Sequence, residues 1–366
     1  MAKLKPYLNI GPGEFIKEEM KIRNWTNEDL AQVLSLNPKT ISELLNNKQR
    51  ITIGTAKILG KAFGQSPQYW LNLDNNYRLR LNENNNESEV EIKSKIYERM
   101  PVNDMVKKGW IKKPGSTNEL KNIFMEFWKI GDFKIDWLDS LAIPNCRKSN
   151  AYENLSKYFL LTWTQKAKLA SEKYEAPKFN KNGLNELSKE ITKYSTLKTG
   201  VSKFLNKLNE TGVKFFSLNH LPRTYLDGAA FMHNNSPVIV YTKRYDRLDN
   251  FWFTIAHEIG HILLHIKNEN DIYIDDFKAE GEFDYENEAN EFAEKILRIN
   301  AILDYFSEYQ HYTSAFRVKE AVDELKIDPS IIVGILKYYN VLAYNRLNQF
   351  TKTVSDKIPK KYVVKK

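Results

Sequence analysis

The sequence predicts a multidomain, mostly α-helical protein with a small α+β part. The chain has 366 residues, which is enough for two or three domains. Near its start, short segments with apolar residues at helical spacing follow one another. Farther on, three segments of alternating β-branched and aromatic residues come just before a segment that is apolar on nearly every side. These patterns predict a helical amino-terminal domain, a helical middle region and a carboxyl-terminal domain with a short sheet.

Composition and charge exclude several classes of protein. Hydrophobic residues make up 42% of the chain and charged residues 28%, as in an ordinary globular protein with packed cores. The single cysteine, Cys146, excludes internal disulfides and multi-cysteine metal sites. No apolar run approaches the roughly 18 residues of a spanning helix, and the first residues lack the apolar core of a signal peptide. We therefore expect a cytoplasmic protein without membrane contact, and the net charge of +9 suits a polyanionic partner.

Residues 10–81 are predicted to form a domain of five short helices. The first runs from Glu14 to Arg23, and the second is capped by Thr26 or Asn27 and runs to Leu34. The third is capped by Asn37 and ends near Asn46. The fourth and fifth run from Thr52 to Phe63 and from Pro67 to Leu73. The tight turn between the second and third helices has helix-turn-helix proportions. In that motif the start of the second helix of the pair enters the major groove of DNA.

This pattern selects candidate residues for contact with DNA. The residues expected to face outward near the start of the third helix are Lys39, Thr40, Ser42 and Glu43. Lys48 and Arg50 follow in a basic loop suited to phosphate contacts. The alternative interpretation is a plain helical bundle with an ordinary polar surface.

The middle and the end of the chain are less informative. Residues 82–89 are polar and are predicted to be a linker. Residues 90–199 show mostly helical spacing, and their aromatic residues are interpreted as core. Residues 346–366 are predicted to form a basic tail, for which solvation is the default interpretation.

Residues 200–345 are predicted to form the domain that carries chemistry. A helix is followed by strands at VKFFSL, DGAAFM and SPVIVYT, then by the helix from Phe251 to His265. An acidic loop, a second helix from Phe283 to Leu297 and one or two closing helices come next. A helix that is apolar nearly all round, as Phe251 to His265 is, is expected to be buried.

The buried helix contains His257-Glu258-x-x-His261, the H-E-x-x-H pattern. Residues four apart lie on one face of a helix, so both imidazoles can bind one metal ion. Glu258 lies beside them, in position to act as general base towards water activated by the metal. The alternative is a hydrogen-bonded pair of core histidines. His265 lies about 12 Å along the helix from His257, at about 1.5 Å per residue, and is interpreted as a residue at the edge of the site, behind the ligands.

A third ligand is expected from the following helix, because catalytic zinc commonly binds two histidines and a glutamate. Helical phase places Glu286 on the same face as Ala289 and Ala293, whereas Glu288 points away and remains the second choice. Asn290, one turn beyond Glu286, is expected to orient a ligand by hydrogen bonding.

HEIGH at 257–261 followed by E-x-x-A-N-x-F-A at 286–293 resembles the ImmA/IrrE family of zinc metallopeptidases. The resemblance extends upstream over LDGAAFMHNNSPVIVYTKRYDRLDNFWFT. It implies a zincin-like domain, with Zn2+ held by His257, His261 and Glu286 and with Glu258 as general base. Residues 10–81, with Pro12-Gly13-Glu14 and Pro67-Gln68-Tyr69-Trp70-Leu71, resemble the Xre-type domain of HigA-like antitoxins. That resemblance implies a homodimer that binds double-stranded operator DNA.

The sequence supports two hypotheses about function. The first is a transcriptional regulator with a zinc-dependent endopeptidase domain that cleaves a regulatory protein. The second is a HigA-like antitoxin or autorepressor whose metal site is sensory or structural. The retained Glu258 favours the first hypothesis, because a structural zinc site needs no general base. A toxin or repressor partner is compatible with either hypothesis.

Overall fold

The computed structural model describes residues 9–81, 86–141, 145–146, 153–222, 224–269, 271–275, 284–309 and 313–364. The chain divides into two compact units, Met1–Ser94 and Lys95–Lys366. Within the described residues, no helix combines the length and the apolar character needed to cross a membrane. The predicted fold class, mostly helical with one short sheet, is confirmed.

The helices of the first unit begin close to the predicted caps. They are α1 (Pro12–Arg23), α2 (Asn27–Leu34), α3 (Pro38–Leu45), α4 (Ile53–Phe63) and α5 (Pro67–Leu81). Thr26 and Asp29 form a capping box at the start of α2. The Asn37 side chain accepts a hydrogen bond of 2.7 Å from the backbone N–H of Thr40 and so caps α3. The two caps set the tight turn of the predicted helix-turn-helix.

Two details of this unit differ from the sequence prediction. Val33, whose apolar side chain at helical spacing in α2 would suit the core, is 48% exposed. Helix α5 continues to Leu81, although the apolar pattern ends near Leu73. The buried carboxylate of Asp74 accepts hydrogen bonds of 2.9 and 3.0 Å from the guanidinium of Arg78 one turn later. An ion pair at this spacing stabilises a helix without contributing to hydrophobic periodicity, which is why the pattern missed the extension.

The second unit begins with helices from the region predicted to connect the two domains. Helix α6 (Asn86–Arg99) contains the boundary between the units. The others are α7 (Val102–Lys107), α8 (Thr117–Trp128), α9 (Trp137–Ser140), α10 (Glu153–Ser171), α11 (Lys181–Lys189) and α12 (Ile191–Ser195). Phe124 and Trp163 are fully buried, in line with their interpretation as core residues.

A five-stranded sheet forms the centre of this unit. Its strands are β1 (Asn145–Cys146), β2 (Lys214–Ser217), β3 (Gly228–His233), β4 (Ser236–Tyr241) and β5 (Ile272–Asp275). The order is β1-β5-β3-β4-β2, with β3 antiparallel to both neighbours and β2 parallel to β4. Strands β2, β3 and β4 were predicted. Strand β5 lies in the segment predicted to be an acidic loop, and β1 lies in the region predicted to be helical.

The remaining helices enclose the sheet. They are α13 (Gly200–Glu210), α14 (Leu248–Leu264), α15 (Asp284–Ile296), α16 (Ile299–Ser307), α17 (Ala315–Leu325) and α18 (Pro329–Tyr338). Alternate strand residues face opposite sides of the sheet. Phe215 and Ile239 pack in the same core as α14 and α18, whereas Phe216 and Val238 pack in a core with α10. Helix α14 is therefore enclosed by the sheet and by other helices.

The segment predicted to be a basic tail is packed against this unit over residues 346–364. Val354, Ile358 and Tyr362 are buried. The Tyr362 hydroxyl donates a hydrogen bond of 3.2 Å to the carbonyl oxygen of Leu205, and the backbone N–H of Val364 donates one of 3.1 Å to Ser217 on β2. This segment is therefore basic, as predicted, but it is packed against the unit rather than free in solvent.

Candidate metal centre and helix-turn-helix surface

Helix α14 carries three fully buried ionisable side chains. His257, Glu258 and His261 are each 0% exposed. Their neighbours on the helix, among them Ile255, Ile259 and Ile262, lie in the main core of the unit. Buried imidazoles and carboxylates are costly unless they have polar partners or a metal. The local sequence thus places a polar stripe inside an apolar core.

The third candidate ligand comes from α15. Nε2 of His257 lies 2.9 Å from Nε2 of His261, and the Glu286 carboxylate lies 3.5 Å from His257 Nε2 and 3.7 Å from His261 Nε2. Two ligands about 2.1 Å from a zinc ion at tetrahedral angles are about 3.4 Å apart. The observed separations bracket that value. The distance between the two imidazole nitrogens would also fit a hydrogen bond. The Glu286 carboxylate, however, lies close to both nitrogens, and this favours a cation shared by all three side chains.

Glycine and alanine residues allow the two helices to approach. A Cβ added to Gly260, inside the H-E-x-x-H segment, would lie 3.3 Å from the Cα of Ala289 and 3.2 Å from the ring of Phe292. Such contacts are tighter than ordinary van der Waals contact. The small residues at 260 and 289 therefore let α15 lie close enough to bring Glu286, which is 5% exposed, to the two histidines.

The carboxylate of Glu258 lies against the first residue of β3. A Cβ added to Gly228 would lie 2.1 Å from Oε1 of Glu258 and 2.7 Å from Cγ2 of Thr254. No side chain larger than hydrogen fits there without moving Glu258. Gly228 is thus a site residue that the motif did not reveal, although a glycine that opens a strand is a known sign of close backbone approach.

His265 contacts the centre from behind. Its Nδ1 lies 3.0 Å from Nδ1 of His261, and its Nε2 lies 2.8 Å from Oε2 of Glu288. Burial, the largest effect, lowers the pKa of His265 from its ordinary value, while the hydrogen bond to Glu288 acts in the opposite direction. The ring of Tyr273 on β5 stacks on His261, with 4.8 Å between ring centroids and 14° between ring planes.

The structure thus brings together His257, Glu258, His261, Glu286 and His265. Glu288 does not reach the two histidine Nε2 atoms and instead pairs with His265, with its side chain 58% exposed. Asn290 was expected to orient a ligand, but this half-buried side chain forms no hydrogen bond with any residue that the structure describes. His311, another histidine of this part of the chain, lies outside the described residues. Tyr273 could not be assigned from sequence, because its strand was not predicted.

The helix-turn-helix surface presents its candidate residues in several environments. Lys39 is 85% exposed, 3.9 Å from Glu43, and Ser42 and Lys48 are also exposed. Thr40 is half-buried at the capped start of α3. Arg50 lies 3.7 Å from Asp74 and 3.4 Å from Asn75 on α5, so part of its charge is already compensated.

An open cavity of about 430 Å³ borders α3 on the side of α1 and α2. Its lining combines two lysines with three polar and three apolar side chains. The lining residues are Lys17, Met20, Lys21, Trp25, Asn27, Ser42, Leu45 and Asn46.

Comparison with known proteins also separates a helix-turn-helix region near the start of the chain from a domain that contains the candidate metal centre. A family profile described as IrrE N-terminal-like domain matches residues 200–327, and one described as helix-turn-helix matches residues 16–70. An uncharacterized HTH-type transcriptional regulator, YddM of Escherichia coli K12, is 37% identical over 68 residues, which cover 19% of this chain and 72% of that protein. The chain is a fusion of an Xre-type helix-turn-helix domain with an ImmA/IrrE-family domain.

Other curated relatives match about a fifth of the chain. Virulence-associated protein I of Dichelobacter nodosus is 36% identical over 75 residues, or 20% of this chain and 69% of that protein. An uncharacterized HTH-type regulator of Haemophilus influenzae is 38% identical over 68 residues, or 18% of this chain. The match spans 64% of the Haemophilus protein, a little under two thirds of its length.

Two solved structures also match a small part of the fusion. Antitoxin HigA of Pseudomonas aeruginosa, solved with the higBA promoter, is 27% identical and covers 23% of this chain and 92% of its own, with a TM-score of 0.22. An addiction module antidote protein of the HigA family from Coxiella burnetii is 29% identical and covers 25% of this chain and 95% of its own, with a TM-score of 0.20.

Proposed function

We propose that this protein is a DNA-binding transcriptional regulator whose ImmA/IrrE-family domain is a zinc-dependent endopeptidase that cleaves a regulatory protein. The observation that carries the enzymatic part is the convergence of His257, His261 and Glu286 beside Glu258. Ligand atoms of the first three lie within 4.8 Å of one another. All four side chains are buried, which is unusual for ionisable groups without a shared function.

The donor set suits zinc in a catalytic rather than a structural role. Two imidazoles and one carboxylate are the ligands of several hydrolytic zinc sites, whereas calcium and magnesium prefer oxygen alone. Structural zinc sites use four protein ligands. Among the described residues the cluster has three members, and this leaves a coordination position for a reactant. This observation supports the peptidase over a purely structural metal site.

The chemistry divides between the metal and Glu258. When bound, zinc supplies a Lewis acid that lowers the pKa of a water molecule towards about 7 and polarises a peptide carbonyl. Glu258 then acts as the general base, taking a proton at its carboxylate and later giving it to the leaving amine. Because the Glu258 carboxylate is shielded from solvent, the proton is transferred between reacting groups rather than lost to bulk water.

An endopeptidase also needs a group that stabilises the developing oxyanion. His265 is held between His261 and Glu288, so it is poorly placed for this task. The rings of Tyr273 and Tyr285 lie near His261. Their centroids are 4.8 and 6.4 Å, respectively, from the centroid of the His261 ring. Their hydroxyl groups are the described candidates that remain.

The DNA-binding part of the proposal rests on the helix-turn-helix family and on the surface of α3. Lys39 and Ser42 extend from the start and middle of this helix into solvent, as direct base contacts require. Lys17 and Lys21 line the cavity beside Ser42, and their charge suits contact with a phosphate group. We propose a homodimer on an inverted repeat, with half-sites about one helical turn apart, in the promoter of its own gene.

The second candidate function is a HigA-like antitoxin or autorepressor whose metal is sensory or structural. The helix-turn-helix profile and the curated relatives described as HTH-type transcriptional regulators favour it. Under this alternative a toxin or repressor protein would be the partner and no peptide bond would be broken.

Metal analysis and one conservative substitution separate the candidates. Purified protein is expected to contain about one zinc ion per chain, as for other sites of this type. Products of neighbouring genes are incubated with the wild-type protein and with Glu258→Gln, and cleavage is followed by mass spectrometry. Zinc retained in both proteins with cleavage only by the wild type supports the peptidase. Equal cleavage by both proteins would refute the role of Glu258, and zinc-dependent DNA binding without cleavage would favour the antitoxin.

A further inference from the structure

A line of hydrogen bonds connects the candidate metal site to the surface of α15. Glu288 Oε2 lies 2.8 Å from Nε2 of His265, and Nδ1 of His265 lies 3.0 Å from Nδ1 of His261. The other nitrogen of His261, Nε2, is the atom directed at His257 and Glu286. One ring nitrogen of His261 therefore faces the metal position, and the other contacts this line.

The direction of each bond follows from the groups at its ends. An ionised carboxylate only accepts hydrogen bonds, so Nε2 of His265 must carry a proton and donate. In the neutral ring Nδ1 of His265 then holds a lone pair, and it accepts from Nδ1–H of His261. His261, protonated at Nδ1, presents the lone pair of Nε2 to the metal position. The opposite arrangement would put a proton on Nε2, where a metal ligand has none.

We infer that His265 and Glu288 are positioning residues that fix the tautomer and ring orientation of His261 for metal binding. Ligating histidines in other metalloproteins commonly donate their second N–H to a carboxylate or carbonyl group, which orients the ring and makes the ligand more basic. Here a second imidazole is interposed between the ligand and the carboxylate. This inference rests on the proposed zinc site.

The position of Glu288 on α15 adds to its effect. The same helix supplies the proposed ligand Glu286, so the Glu288–His265 pair links α15 to α14 next to the metal position. His265 is well shielded, with its side chain 8% exposed, whereas that of Glu288 is 58% exposed. Because Glu288 is exposed, solvent weakens its hydrogen bond to His265. The loss of His265 should therefore reduce zinc affinity more than the loss of Glu288.

Zinc affinity in four variants of the full chain tests the inference. His265→Phe keeps a ring but removes both hydrogen bonds, and it should weaken zinc binding about tenfold to a hundredfold. Glu288→Ala should weaken it by up to about tenfold, while Glu288→Gln, whose amide oxygen still accepts from His265, should recover most of the affinity. Glu291→Ala is the matched control, since it removes an exposed carboxylate from the same helix. It should leave zinc affinity within about twofold of the wild type.

Nitrogen NMR of labelled histidines in metal-free protein reports which nitrogen of each ring carries the proton. A merely structural role of His265 and Glu288 would leave this tautomer unchanged. Wild-type protein should show His261 protonated at Nδ1 and His265 at Nε2, and Glu288→Ala should lose this preference at His265. A proton on Nδ1 of His265 in the wild type, or equal zinc affinity for Glu288→Ala and Glu291→Ala, would overturn the inference. Failure of the wild-type protein to bind zinc would instead reject the proposed function itself.

Discussion

Helices α3 and α14 carry the two sets of candidate residues, and they do so in opposite ways. On α3 the candidates Lys39 and Ser42 extend into solvent, and the core residues Ile41, Leu44 and Leu45 are separate from them. On α14 the candidates His257, Glu258 and His261 are themselves fully buried.

This comparison shows how differently two sites depend on their surroundings. A DNA-binding surface needs the correct side chains on a stable helix, so these residues can be substituted with little effect on folding. A buried metal centre needs its neighbours to leave the correct space as well. Substitutions beside α14 should therefore alter function through geometry, and substitutions on α3 should alter it through lost contacts.

The largest effect is expected when a histidine ligand is removed. His257→Ala or His261→Ala should abolish zinc binding, because a site left with two protein ligands loses most of its affinity. Zinc content after dialysis, measured by atomic emission, checks this. Full zinc occupancy in the double variant would place the metal elsewhere in the chain.

The second effect concerns the third ligand. Glu286→Ala should weaken zinc binding by more than the tenfold to hundredfold typical for residues behind a ligand, and thus more than Glu288→Ala. Competition with a chelator of known affinity provides the measurement. A reversed ranking would mean that Glu288 binds the metal and that the geometry of α15 differs from the one described.

The third effect concerns the space beside the general base. In Gly228→Ala the new methyl group would lie 2.1 Å from Oε1 of Glu258, so the carboxylate must move by about 1 Å or more to restore normal contact. Peptide cleavage should fall about a hundredfold while zinc remains bound, since displacement by about 1 Å can cost that much. Gly131→Ala, where a Cβ meets no atom within 4 Å, is the control and should cleave normally.

The fourth effect tests the surface of α3. Lys48→Ala should weaken binding to all DNA sequences and lower the salt dependence by about one counterion per subunit, whereas Lys39→Ala should relax sequence preference. Arg50→Ala should weaken binding less than Lys48→Ala, because Arg50 is already paired with Asp74. Titrations of promoter and scrambled duplexes at several salt concentrations measure these differences. Unchanged binding in all three variants would exclude α3 and its loop as the DNA surface.

The smallest effect is a control on packing in the first unit. A Cβ added to Gly54 near the start of α4 meets only Oγ1 of Thr52, at 3.7 Å. Gly54→Ala should therefore stabilise the protein by about 0.5–1 kcal/mol, because alanine loses less conformational entropy than glycine when a helix forms. Chemical denaturation of the wild type and the variant measures this difference in stability. A loss of stability would show that this region is packed as tightly as the surroundings of α14.

Local patterns in the sequence were sufficient for the helix-turn-helix and for the stripe of His257, Glu258 and His261. Both depend on spacing within one helix and on caps such as Thr26 and Asn37, which act over three or four residues. The helical phase of Glu286 was equally local, and it placed that carboxylate on the buried face of α15.

The tertiary structure alone decided which residues surround the stripe. The need for glycine at 228, the stacking of Tyr273 on His261 and the pairing of His265 with Glu288 each join elements that are distant in sequence. Strand β5 was missed because it lies in an acidic segment and is held by pairing with β3 rather than by its own apolar pattern. Sequence spacing reports the neighbours along one helix or strand, whereas contacts between elements depend on how the whole core packs.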